Sequence, residues 1–113
     1  MADDCLFCRI IRREIPAAIV AEDAHCIAFR DINAQAPVHI LVVPREHISS
    51  LDAATDAAAV GRLALFAAEL ARTEGIAGTG YRTVVNTNAD AGQTVFHLHL
   101  HLLGGRALRW PPG

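Results

Sequence analysis

Three histidines alternate with leucines in His97-Leu98-His99-Leu100-His101-Leu102-Leu103. In an extended chain successive side chains point to opposite faces, so a strand over these residues puts the imidazoles on one face and the leucines in the core. Crowding disfavours charging all three rings and keeps at least part of the set neutral near pH 7. A neutral imidazole is a nucleophile, a base or a metal ligand. The residues alone leave three readings: nucleophilic catalysis, a three-histidine metal site that activates water, or an exposed strand whose polar face happens to be histidine. Histidine is neither a favoured strand former nor a common surface residue, which counts against the last. A second cluster, Cys5-Leu6-Phe7-Cys8, sets two thiols three apart, a spacing that suits one edge of a tetrahedral zinc site and needs two more ligands. The alternative is a pair of buried or reactive thiols.

The elements that must position these groups follow from the apolar pattern. Leu6, Phe7, Ile10 and Ile11 recur at helical spacing among Arg9, Arg12, Arg13 and Glu14, predicting a short amphipathic helix that stops before Pro16. Ile19 to Glu22 and Cys26 to Arg30 read as a hairpin about Asp23-Ala24-His25, and Asp31-Ile32-Asn33 starts an irregular turn that ends near Pro37. Val38 to Val43, interrupted only by His39 and bounded by Pro37 and Pro44, reads as a well-buried strand in which His39 needs a partner. One long helix is expected from Thr55-Asp56, with Thr55 a candidate N-cap, to just before Gly75. Its packing stripe is Val60, Leu63, Ala64, Ala67, Leu70 and Ala71. Tyr81 to Asn88 alternates as a strand, Asn88 to Gly92 is a loop, and the histidine strand follows until Gly104-Gly105 breaks it. Helix, three strands, long helix and two strands, joined mostly by hairpin-length gaps, imply an α+β domain with an antiparallel sheet and helices on one side.

Composition narrows the function classes. The 113 residues suffice for one domain with a real core, residues 1–113, without staples. A formal net charge of -2 with 19% charged residues marks neither a general nucleic-acid binder nor a basic membrane-surface protein, so an anionic ligand must be held locally. Met1-Ala2-Asp3-Asp4 is acidic where a secretory signal is basic, and the longest stretch without Asp, Glu, Lys or Arg, Ala91 to Gly105, contains all three strand histidines and cannot span a membrane. The expectation is a cytoplasmic protein with no membrane and no nucleic acid as partner. Three cysteines in such a compartment argue against a disulfide framework.

Gly92-Gln93-Thr94-Val95-Phe96 followed by the three histidines closely resembles the signature of the histidine triad nucleotide-binding proteins. Ile10-Ile11-Arg12-Arg13-Glu14-Ile15-Pro16-Ala17, Asp31 to His39 and the terminal Trp110-Pro111-Pro112-Gly113 resemble the Hint branch in particular, so the likeness covers nearly the whole chain. The resemblance implies a five-stranded antiparallel sheet with one short and one long helix, pairing into a homodimer. It also implies hydrolysis of purine nucleoside 5'-phosphoramidates through a nucleotidyl-histidine intermediate, with dinucleoside polyphosphate hydrolysis the neighbouring activity. A third reading is a nucleotide-binding regulatory or scaffold protein whose turnover is incidental.

Carried over by position, His99 is the nucleophile, its tautomer fixed by the main-chain carbonyl of His97. His101 and Thr94 are the candidate proton donors to the leaving amine, and His39 is a supporting histidine. Asp31 should accept from the ribose hydroxyls, and Leu6, Phe7, Ile10, Phe29, Ile32 and Leu41 should form the purine slot. Gly92 with its neighbours Gln93 and Val95, and Asn86, should lie at the phosphate, and Trp110 should reach the partner subunit's site. Relatives that carry zinc imply Cys5, Cys8, His47 and His97 as the ligands of a structural ion that takes no part in the chemical step.

Overall fold

The computed structural model describes residues 4–113; the opening Met1, Ala2 and Asp3, read above as unlike an export signal, lie outside the described residues. Helix α1 (Leu6–Ile11) is capped by Cys5, whose Sγ accepts the Cys8 N–H at 3.4 Å. It buries Phe7, Cys8 and Ile10. Strands β1 (Ile19–Glu22) and β2 (Cys26–Arg30) form the expected hairpin. Asp23 closes its turn by accepting the N–H groups of His25 at 2.8 Å and Cys26 at 2.7 Å, and these bonds hold its carboxyl below the usual carboxylate range.

Strand β3 (Val38–Pro44), helix α2 (Ala57–Thr73), β4 (Tyr81–Val84) and β5 (Leu100–Gly104) complete a five-stranded antiparallel sheet in the order β1-β2-β3-β5-β4. The α+β class and the five strands stand as expected from the sequence. Placing both helices on one side does not. One face of the sheet presents Cys26, Ala28, Ile40, Val42, Leu100 and Leu102 to Leu63, Ala67, Leu70 and Ala71 of α2. The other presents Ile27, Phe29, Leu41 and Val43 to Phe7 and Ile10 of α1. The central strands are continuous apolar runs, not alternating ones, and such a sheet must be covered on both faces.

Three boundaries also shift. Asp56, not Thr55, caps α2 by accepting the Ala58 N–H at 3.0 Å, and Ala64 of the expected stripe is exposed because the helix meets the sheet through Leu63, Ala67, Leu70 and Ala71. Strand β4 ends at Val84, opposite His101, near the start of its partner β5. Strand β5 begins only at Leu100, so His97 and His99 lie in the segment leading into it, which bends over residues 95–97. Two residues beyond Val42↔Leu100 the register would pair Pro44 with Leu98, but proline has no N–H to give. Leu98 instead donates to the Ile48 carbonyl at 2.6 Å, while Leu98, Leu100 and Leu102 all reach the α2 core. The division of imidazoles from leucines survives this change.

Candidate active site

The α1 face of the sheet opens into a cavity of about 590 Å³, within the size range of small-molecule sites. All six residues expected to form the purine slot line it: Leu6, Phe7, Ile10, Phe29, Ile32 and Leu41. Phe7 and Phe29 meet edge to face at 5.3 Å, while Ile32 is fully exposed at the mouth. Asp31, His39, Thr94, Val95, His99 and His101 supply the polar end and its wall. An apolar slot beside a row of imidazoles suits a flat base joined to an anionic group.

His99 is buried except where it meets this cavity. Its Nδ1 lies 2.7 Å from the His97 carbonyl, which can only accept, so Nδ1 carries a proton and, in the neutral ring, Nε2 keeps the lone pair. Phe7 packs edge-on against the ring at 5.1 Å and limits its rotation. His101, on β5, stands 5.1 Å from His99 between ring centres. Its Nδ1 is 2.9 Å from Nε2 of His39, on β3, and that Nε2 is also 3.3 Å from a carboxylate oxygen of Asp31. Burial, reinforced by the nearby His99 and His39 charges, pushes His101 down to about 4. Burial also lowers His39, against the pull of Asp31. His39 and His101 are therefore held neutral at neutral pH.

His97 faces away from this trio, toward α1. Its Nδ1 is 3.5 Å from Sγ of both Cys5 and Cys8, and Nδ1 of His47 is 3.3 Å from Cys8 Sγ. Ligands of a tetrahedral zinc bound through two sulfurs and two nitrogens sit about 3.5 Å apart along each S···N edge, so the four side chains fit such an ion. His97 Nε2 donates to the Pro44 carbonyl at 2.8 Å, the outer bond that orients a ligating imidazole. Burial pushes His97 down to about 4, which leaves its Nδ1 lone pair available. The three alternating histidines do not converge on one ion. Their Nδ1 atoms turn toward thiols, a carbonyl and His39 respectively, against the reading of a three-histidine hydrolytic metal.

Several expected residues do not line this cavity. Gln93 sits behind the wall, its amide donating to the Ser49 and Val95 carbonyls and accepting the Asn88 N–H, so it holds the preceding loop in place. The Gly92 and Gln93 N–H groups are taken by the Ala89 and Asn88 carbonyls at 3.0 and 3.1 Å, which leaves neither directed at the cavity. Asn86 does not line the cavity, and Trp110 is 81% exposed on the terminal tail. Sequence reasoning missed Ile15, Pro16 and Ala17 in the apolar lining, and Gln35, whose main-chain N–H donates to His39 Nδ1 at 3.0 Å. Pro16 is legible in the sequence as a helix stop and as part of the Hint-like block Ile10 to Ala17, and neither signal places it at a cavity.

The HIT domain family model matches residues 12–108. An uncharacterised HIT-like protein of Synechocystis is 57% identical over the whole of both chains. The purine nucleoside phosphoramidase of Escherichia coli K12 is 50% identical over 96% of this chain and 92% of its own. The crystal structure of a HIT family hydrolase from Legionella pneumophila superposes with a TM-score of 0.95 at 47% identity, covering 97% of this chain and all of the other. With its histidines, its sheet and its cavity in this arrangement, the chain belongs to the HIT domain family.

Proposed function

We propose that this protein is a hydrolase of purine nucleoside 5'-phosphoramidates, of the adenosine or guanosine 5'-monophosphoramidate type. The observation that carries the reading is the 2.7 Å bond from His99 Nδ1 to the His97 carbonyl, which leaves Nε2 unprotonated beside a cavity with an apolar end. Nε2 attacks the α-phosphorus, forming a P–N bond as the bond to the amine breaks. The amine takes a proton from His101 or Thr94 as it leaves. While the nucleotidyl group is attached, the ring is cationic, and the His97 carbonyl faces its remaining N–H. Water then attacks phosphorus, the P–Nε2 electron pair returns to the ring, the nucleoside monophosphate departs, and the surplus proton restores the donor. Asp31 holds the ribose, and the purine lies against Phe7, Phe29 and their apolar neighbours.

Asp31 already accepts the Asn33 N–H at 2.8 Å through Oδ1, which fixes its carboxylate at the cavity edge. The 50% identity to the Escherichia coli phosphoramidase supports this substrate class. Zinc held by Cys5, Cys8, His47 and His97 would tie α1 to the segment before β5, with four protein ligands leaving no open position for water. A homodimer belongs to the same proposal. It would give a task to Trp110, in the partner subunit's site, and would cover Leu65 on α2, which is 74% exposed. A cytoplasmic setting keeps the thiols reduced; among the described residues no helix is long and apolar enough to cross a membrane. Turnover of an adenosine 5'-phosphoramidate should greatly exceed that of a diadenosine polyphosphate. The reverse preference would transfer the chain to the polyphosphate hydrolases, and no turnover of either would leave a nucleotide-binding protein.

A further inference from the structure

We propose that Gly105 and Arg106 are positioning residues: the turn after β5 latches the main chain of Gln35, whose amide sets the proton positions on His39 and, through it, on His101. An amide N–H can only donate, so His39 Nδ1, 3.0 Å from the Gln35 nitrogen, carries a lone pair. The neutral ring then holds its proton on Nε2, which lies 2.9 Å from His101 Nδ1. That nitrogen must accept, and the His101 proton is left on Nε2, the other edge of a ring that lines the cavity. The Gln35 amide, together with the Asp31 carboxylate oxygen 3.3 Å from the same Nε2, thus decides whether His101 can offer a proton there.

The amide belongs to an exposed loop without regular structure, residues 31–37, and needs an anchor. Arg106 provides it, donating from Nε and Nη2 to the Gln35 carbonyl at 3.2 and 2.9 Å. Both atoms of the fork meet one oxygen, and Nη1 is spent on the Ala107 carbonyl at 3.0 Å. Gly105 allows the approach. Its φ of +87° is one that side chains rarely adopt, and a Cβ there would lie 2.9 Å from the Pro37 Cβ. Because the turn extends β5, the strand that carries His101 is cross-tied to the loop that orients its partner. With the tie cut, only the Asp31 carboxylate still holds the proton on Nε2, and for part of the time His39 carries it on Nδ1 and accepts at Nε2. His101 must then donate from Nδ1, and its cavity edge loses the proton.

The test reads the ring nitrogens directly, by long-range proton–nitrogen NMR of the full chain labelled with nitrogen-15. Wild type should show His39 and His101 each as a single Nε2–H tautomer. Arg106→Ala and Gly105→Ala should each give mixed tautomers for both rings, with Arg106→Lys, which keeps one donor, partly restoring them. The kinetic arm rests on the phosphoramidase reading. There Arg106→Ala should lower kcat roughly tenfold with a smaller change in KM, as expected when a proton donor is misplaced for part of the time. Unmixed tautomers in a folded Arg106→Ala protein overturn the proposal, whatever its activity, and so does a wild-type His39 protonated at Nδ1. If Arg106→Ala does not fold, Arg106→Lys decides by the same criterion. Mixed tautomers in a chain without phosphoramidase activity uphold the latch and defeat the functional reading instead.

Discussion

Replacing His101 by Gln should remove a large part of the acid sensitivity of this fold. His101 is held near 4 by burial, by the His99 charge and by the His39 charge, against an ordinary value of 6.5. In the unfolded chain it regains 6.5, so between those limits the unfolded state binds the extra proton. Stability therefore rises with pH through this window and is lost as pH falls from about 6.5 to about 4. At 1.36 kcal/mol per pKa unit, the fall from 6.5 to about 4 corresponds to about 3 kcal/mol. Gln cannot titrate, and it fills much of the space beside His39. Urea unfolding at a series of pH values from 7 to 4, in chelator throughout so that metal release adds nothing, gives the difference between the two proteins. Wild type should lose about 3 kcal/mol more than His101→Gln across this range. Parallel stability curves for the two proteins would refute the reasoning, because they would mean that burial of this ring carries no protonation penalty.

Other outcomes follow from single contacts. Metal analysis of the purified protein should find about one zinc per chain, and Cys8→Ser should abolish it and lower Tm, while chelation of wild type lowers Tm but leaves kcat of the folded protein unchanged. Asp31→Ala should raise KM for an adenosine phosphoramidate roughly tenfold, the worth of a hydrogen bond to a charged group, and should abolish the preference over the 2'-deoxy substrate. Leu102 is fully buried between the sheet and α2, so Leu102→Ala should cost about 3 kcal/mol in urea unfolding with m unchanged.

The parts of the fold legible in the sequence were those written in local patterns. The β1–β2 hairpin, the buried strand about His39 and the end of α2 before Gly75 each carry their own turn or apolar signal, and each lies where it was read. The opposite placement of the two helices was written more faintly, in the unbroken apolar runs of β2 and β3, which show that both faces are covered but not by which element. The late start of β5 depends on Pro44 standing opposite Leu98, a relation between residues 54 apart in sequence that no window along the chain contains. At the site, the three histidines were legible from their alternation and the slot residues from a family likeness, and the cavity collects the slot residues with His39, His99 and His101. Gln93 and Gly92 were harder because their part of the loop is defined by who accepts whose hydrogen bond. Gln93 turns out to brace the loop from behind. The Gln35 amide was invisible for a simpler reason: every residue but proline has one, and only the folded loop shows that this one points at an imidazole.

The central claim is a covalent one and is best tested by catching the bond. Wild type mixed with an adenosine 5'-phosphoramidate, quenched during turnover and mapped by mass spectrometry at neutral to basic pH, should carry one nucleotidyl group on the peptide containing His99, localised to that ring. His99→Ala should bind the nucleotide and carry none. Full turnover by His99→Ala, or an adduct on His97 or His101 in place of His99, would contradict the account.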